Sequence, residues 1–252
     1  MGTRKRPSDQ LREMVIEPNY LKYPEGSALI RCGDTKVICA ASVEDKVKDW
    51  LKGKGKGWVT AEYAMLPRAN QQRGLREGQF GRWPAGRSQE IQRLVGRCLR
   101  GAVLPQYIGE RTITIDCDVI QGDGGTRCAS ITGGFIALAI ALDKLVKAKK
   151  ITKPPLKNMV AAISVGIVKG ECLLDLDYVE DSEAEVDLNL AAVDTGMIVE
   201  IQGTAENKSY SRDDLFRMTD LALSAMPRLF EFQRAALSSV GVDVNTLMHR
   251  GD

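Results

Sequence analysis

Between residues 112 and 121 the apolar side chains Ile113, Ile115, Cys117 and Val119 alternate with Thr114, Asp116 and Asp118. That two-residue period predicts a half-buried strand. Earlier in the chain, "SALIRCG", "TKVICAASV" and "GWVTAEYAML" are strand-like, separated by Gly33-Asp34 and by the run "KGKGKG" at 52 to 57, and together they predict an antiparallel meander. Four more strand-like runs follow: "MVAAISVGIV", "ECLLDLDY", "AEVDLNLAAV" and "MIVEIQG", with turns at Lys169-Gly170 and Asp194-Thr195-Gly196.

Helical spacing takes over at Ile91, Leu94, Val95, Cys98, Leu99 and Ala102, with Ser88 as the predicted cap and Arg93, Arg97 and Arg100 on the other face. Thr126 to Lys147 is apolar on nearly every side, as a central buried helix must be. A last helix begins near Ser211, and Pro227 inside it is expected to kink or restart it. Residues 65 to 87, rich in Arg, Gly and Gln, keep no period and predict a long loop, which at this length is usually functional or disordered. The order βββ-α-β-α-ββββ-α predicts an α+β fold of two similar sheet-plus-helix units around one core. No linker divides them, so residues 1 to 240 are expected to form one domain, and 241 to 252 a poorly ordered tail.

Composition changes this picture in three ways. A hydrophobic content of 44% in 252 residues is enough for a sizeable core. The net charge of +2 hides an asymmetry: residues 1 to 100 carry 20 Lys and Arg against 11 Asp and Glu, and the remainder 15 against 22. A basic front half suits a polyanionic partner, although solvated faces produce the same split. The six cysteines show no CxxC spacing, the N-terminus has no apolar h-region, and the run from Cys128 to Leu142 is short and glycine-interrupted. A reduced, cytoplasmic protein without a membrane anchor is expected. The single histidine, His249, lies in a polar segment near the C-terminus, which argues against imidazole-based catalysis.

The candidate chemistry gathers at "VIQGDGGTRCAS", residues 119 to 130. A strand ending in a glycine-rich turn that opens a helix makes an anion site, because unpaired N–H groups and the positive helix end converge there. Arg127 adds a forked donor, and Arg87, at the start of another helix, is a second candidate. The string fits neither a Walker A loop nor a dinucleotide fingerprint, and a plain tight turn remains the alternative. In "LLDLDYVEDSEAEVD", Asp187 projects opposite Val186, Leu188 and Leu190, with Asp181 in the preceding turn. Two such carboxylates suit Mg²⁺, the alternative being a solvated acidic edge strand, which fits Glu183 and Glu185 better. Arg68, Arg73, Arg76 and Arg82 in the long loop suit either an RNA backbone or a subunit contact.

These stretches, with "YPEGSALI", "GDTKVICAASVEDKV", "GKGWVTAEYAMLPRA", "GRSQEIQRLVGRCLR", "ERTITIDCDVIQGDGGTR", "ASITGGFIALAIA" and "VEIQGTAE", resemble the bacterial ribonuclease PH family along almost the whole chain. The resemblance implies the ribonuclease PH fold, two βαβα-like units of the ribosomal protein S5 domain 2-like type. It further implies a tRNA nucleotidyltransferase: a phosphate-dependent 3′-to-5′ exoribonuclease that trims tRNA precursors, releases nucleoside 5′-diphosphates and adds nucleotides in reverse. The implied partners are RNA 3′ ends and a homohexamer built as a trimer of dimers, with neither DNA nor membrane.

By the same resemblance, Arg87, Gly125, Thr126 and Arg127 bind the inorganic phosphate co-substrate. Asp181 and Asp187 are the catalytic carboxylates holding Mg²⁺ or Mn²⁺, and Arg68, Arg73 and Arg76 serve assembly or RNA contact. Two rival readings remain at this point: a catalytically inactive ring subunit that only binds RNA, against which the intact Arg87, Arg127, Asp181 and Asp187 argue, and a hydrolytic nuclease indifferent to phosphate.

Overall fold

A computed structural model describes residues 4–76, 86–206 and 209–250. Sheet 1 contains β1 (Met14–Pro18), β2 (Gly26–Cys32), β3 (Thr35–Glu44), β4 (Trp58–Met65) and β5 (Thr112–Gln121), in the order β1-β2-β3-β5-β4. Sheet 2 contains β6 (Val160–Val168), β7 (Glu171–Leu174), β8 (Val186–Val193) and β9 (Ile198–Ala205), in the order β7-β6-β8-β9. The helices are α1 (Gly86–Gly101), α2 (Pro105–Ile108), α3 (Thr126–Lys147), α4 (Tyr178–Glu183), α5 (Arg212–Ser239) and α6 (Val244–Leu247).

The long apolar helix α3 lies between the sheets, packing on β2, β3 and β5 on one side and on β6 and β8 on the other. Its composition alone would suit a membrane span, but the helix is enclosed by the two sheets. Phe135, Ile136, Leu138, Ile140 and Leu142 are almost completely buried and belong to one contiguous core shared by both sheets. At about 25 cal/mol per Å² of apolar surface, this burial is the main force holding the two sheets in one body. Helix α1 covers β4, and α5 lies across β6 and β1.

Several expectations are corrected by this arrangement. The three early strands do not form a simple meander: β5 enters between β3 and β4, antiparallel to the first and parallel to the second. A parallel pair requires a crossover, and the connection through α1 and α2 supplies it. Strand β1, absent from the periodicity reading, pairs with β2 from Met14↔Cys32 to Pro18↔Ala28. Helix α1 starts at Gly86, ahead of the expected cap Ser88, which is buried in its first turn.

Helix α5 runs unbroken through Pro227. The proline faces solvent, while Met218, Ala222, Met226, Leu229 and Phe230 hold the turns around it in the core. Residues 241–250 of the expected tail are docked: Val244 and Leu247 are buried, and Leu156 bonds with both Leu247 and His249 through the backbone; residues 251 and 252 lie outside the described residues.

Candidate active site

A cavity of about 690 Å³ opens where the C-terminal end of β5, the start of α3, helix α4 and strands β6, β8 and β9 of sheet 2 meet. It is lined by Arg87, Gly125, Thr126, Arg127, Asp181 and Asp187 among others, so all six residues singled out for phosphate and metal chemistry reach one space. They come from four different elements, which is why no local motif could unite them.

The glycine turn forms the back wall. Gly124 and Gly125 have φ of +74° and +67°, a left-handed region that L side chains rarely enter. At Gly124 a Cβ would also overlap the carbonyl oxygen of Leu176. These glycines therefore serve both backbone conformation and close approach. Among the described residues, the N–H groups of Gly124, Gly125, Thr126 and Arg127 have no acceptor, and they end at the positive pole of a 22-residue helix. Thr126 is buried with its hydroxyl 2.9 Å from that of Tyr63 on β4, and Arg127 reaches Gln202 Oε1 of β9 at 3.2 Å.

On the opposite wall, sheet 2 places two polar rows on one face: Ser164, Asn189 and Gln202 are aligned across β6, β8 and β9, as are Gly166, Asp187 and Thr204. Strand β8 lies between β6 and β9, so the acidic segment is not an edge strand. The predicted strand "ECLLDLDY" stops at Leu174, and a capping box between Asp177 and Glu180 starts α4. Asp181 thus sits on a short helix rather than in a turn. Glu183 and Glu185 do local work, pairing with Lys169 Nζ at 2.7 Å and accepting from Gly170 N at 3.0 Å.

Both candidate carboxylates are harder to ionise than an ordinary Asp. Protein mass around Asp181 lowers its hydration and raises its pKa even though the side chain keeps access to solvent; Arg127 and Arg87 oppose the shift. Asp187 is raised by burial and then by the negative charge of Asp181, with Arg127 again opposing. Asp187 Oδ1 is buried without a hydrogen-bond partner. A buried, partnerless carboxylate oxygen facing a second carboxylate is a suitable donor pair for a hard cation. Among the described residues no group of three or more His, Cys, Asp or Glu side chains could hold a metal; two carboxylates alone would leave a cation several sites for water or phosphate oxygen. That is the habit of Mg²⁺.

Sequence reasoning overlooked several cavity residues. Asn70, Gln71 and Gln72 line it from the long loop, as do Tyr178 from α4 and Glu206 beyond β9. Nothing in the local composition marks them; only the return of the loop after β4, where Gly122 N bonds to Ala69 O, brings Asn70 and its neighbours to the glycine turn. Arg68, Arg73 and Arg76 are exposed and do not line the cavity. Arg68 donates to Gln71 O and Arg73 to Gly74 O. Arg82 lies outside the described residues.

Comparison with known proteins agrees with this architecture. The structure is similar to the crystal structure of rice (Oryza sativa) Rrp46, with a TM-score of 0.73, 22% identity, and coverage of 92% of this chain and 98% of that one. It is also similar to an Archaeoglobus fulgidus exosome with RNA bound to the active site (TM-score 0.74, 20% identity, coverage 90% of each chain). An archaeal exosome core gives 0.71 at 18% identity, with coverage of 90% and 89%. At these identities the likeness shows the fold. The sequence itself matches the model of the 3′ exoribonuclease family, domain 1, over residues 10–142 and that of domain 2 over residues 158–225. With both domains matched in order and the first alone spanning more than half of its length, the chain belongs to the 3′ exoribonuclease family, the RNase PH group.

Proposed function

We propose that the protein is a phosphate-dependent 3′-to-5′ exoribonuclease that trims the 3′ ends of RNA, tRNA precursors among them. The observation that carries this reading is the polarity of one cavity: four unbonded backbone N–H groups with Arg127 and Arg87 on one side, and Asp181 and Asp187 on the other. Inorganic phosphate is already anionic near neutral pH and needs no base, only neutralisation and aim. The N–H groups of the turn, the Thr126 hydroxyl and the two guanidinium groups supply both.

In the reaction, a phosphate oxygen attacks the phosphorus of the terminal phosphodiester. The bond from that phosphorus to the 3′ oxygen of the preceding ribose breaks, that oxygen takes up a proton, and a nucleoside 5′-diphosphate leaves. A Mg²⁺ or Mn²⁺ ion held by Asp181 and Asp187 would supply positive charge for the departing oxygen. In the alternative to metal binding by this residue, Asp181, with its raised pKa and solvent access, hands over the proton. Because the bonds broken and formed are of similar free energy, excess diphosphate should drive nucleotide addition.

The exposed Arg68, Arg73 and Arg76 serve either the RNA backbone or a homohexameric ring, a trimer of dimers. The six unpaired cysteines suit a cytoplasmic setting.

Incubating a 3′-extended tRNA with purified protein and Mg²⁺, with and without phosphate, tests the reading. Phosphate-dependent release of nucleoside diphosphates supports it. Release of monophosphates independent of phosphate would indicate hydrolysis, and RNA binding without release would indicate an inactive subunit.

A further inference from the structure

Behind the glycine turn lies a buried ionic unit that does not line the cavity. Arg12, just before β1, is 8% exposed. Asp175 grips it twice, accepting from Arg12 Nη2 at 2.8 Å and from its backbone N at 2.8 Å. Two further contacts of the guanidinium go to the turn, Nη1 to Asp123 O at 2.5 Å and Nη2 also to Gly124 O at 3.5 Å, while Nε is buried without a partner. Thr35, fully buried at the start of β3, donates to Gly124 O at 2.6 Å and accepts from Asp123 N at 2.9 Å. The next carbonyl, Gly125 O, accepts from Ala129 N within the helix. Every carbonyl from 123 to 125 is thus taken by an internal donor, while the N–H groups from 124 to 127 are left free.

This division is not guaranteed by the glycines. A peptide between two glycines can rotate at little steric cost, and the rotated form would present a carbonyl oxygen to an incoming anion. We infer that Arg12, locked by Asp175, and Thr35 are positioning residues that hold the Asp123 and Gly124 carbonyls away from the cavity and so set the turn's affinity for phosphate. A charged fork and a hydroxyl suit the task because each reaches a carbonyl that no strand neighbour satisfies. The inference rests on the phosphate-binding reading of the cavity.

The test measures phosphate binding directly, by calorimetry and by the rise in Tm with added phosphate, beside KM and kcat for phosphate and the Kd for a short RNA. Wild-type protein that binds no phosphate would sink the functional reading and this inference with it. If it binds, Thr35→Val, which keeps shape and loses the hydroxyl, should weaken phosphate binding about three- to tenfold, with RNA Kd changed less than twofold. Thr35→Ser should restore it. Arg12→Lys keeps a charge for Asp175 but cannot fork to both carbonyls, and should raise the phosphate KM by more than it lowers kcat. Folded variants with wild-type phosphate affinity, or equal losses for phosphate and RNA, would overturn the inference while leaving the functional reading standing.

Discussion

The hydroxyl of Tyr63 lies 2.9 Å from the hydroxyl of Thr126, joining the middle of the parallel strand β4 to the first residue of the central helix. Burial raises the pKa of Tyr63, with the Thr126 bond opposing, so it remains a neutral phenol over the working pH range and can donate. Thr126 can then turn its own proton toward the cavity. Tyr63→Phe keeps the packing and removes this orientation. The phosphate KM should rise about two- to tenfold, the size of one neutral hydrogen bond, with Tm changed by a few degrees at most. An unchanged KM would mean that the pair is only structural.

Arg127→Ala should reduce phosphorolysis at limiting phosphate at least about tenfold, because a charge-assisted contact to phosphate contributes about 1.5–3 kcal/mol. The residue opens α3 and its partner Gln202 belongs to the same chain. Oligomeric state by light scattering should therefore be preserved. Saturation kinetics in phosphate identical to wild type would show that the anion site has been misplaced.

Asp187→Asn makes a prediction in two opposite directions. Turnover should collapse while RNA affinity changes little, and added Mg²⁺ should recover only part of it. Stability should instead rise. Burial and Asp181 hold the Asp187 pKa above its unfolded value, so the native state binds its proton more tightly. The associated stability is present below the unfolded pKa and lost as pH climbs through the folded one. Asparagine avoids that loss, so its Tm advantage should be largest near neutral pH and shrink toward the ordinary carboxylate range. A Tm difference independent of pH, or a less stable variant at neutral pH, would contradict the assigned environment. Wild-type activity should correspondingly decline on acidification at a pH above that of an ordinary Asp.

Replacing Arg68, Arg73 and Arg76 together by Ala separates assembly from RNA binding. If they make subunit contacts, smaller species should appear by light scattering while short single-stranded RNA is still trimmed. If they hold RNA, the assembly should persist and the salt slope of tRNA binding should shallow by about 0.7–0.9 per lost phosphate contact. Exposure of all three away from the cavity favours the first outcome. An unchanged assembly with an unchanged slope would remove both roles.

The elements were largely legible in the sequence because burial imposes a period that the chain must carry. Ile113, Ile115, Cys117 and Val119 are all buried on β5, and the all-round apolar character of Thr126 to Lys147 matches a helix enclosed by two sheets. Asp187 opposite Leu188 and Leu190 was equally readable, since side-chain alternation in a strand needs no tertiary information. What the local pattern could not contain was which strand lies beside which. The insertion of β5 between β3 and β4 depends on a crossover, and the capping box that lifts Asp181 onto α4 begins at Asp177, inside the strand-like run that ends at Tyr178.

The cavity belongs wholly to the tertiary level. Residues 12, 35, 63 and 175 touch or brace the turn from distant parts of the chain, and each is a commonplace residue in its own stretch. The sequence determined that a glycine-rich turn at a helix start and a pair of carboxylates exist. Only the packing of two sheets on one buried helix decided that they face each other, because charge and hydrogen bonding act over a few ångströms of space, whatever the distance along the chain.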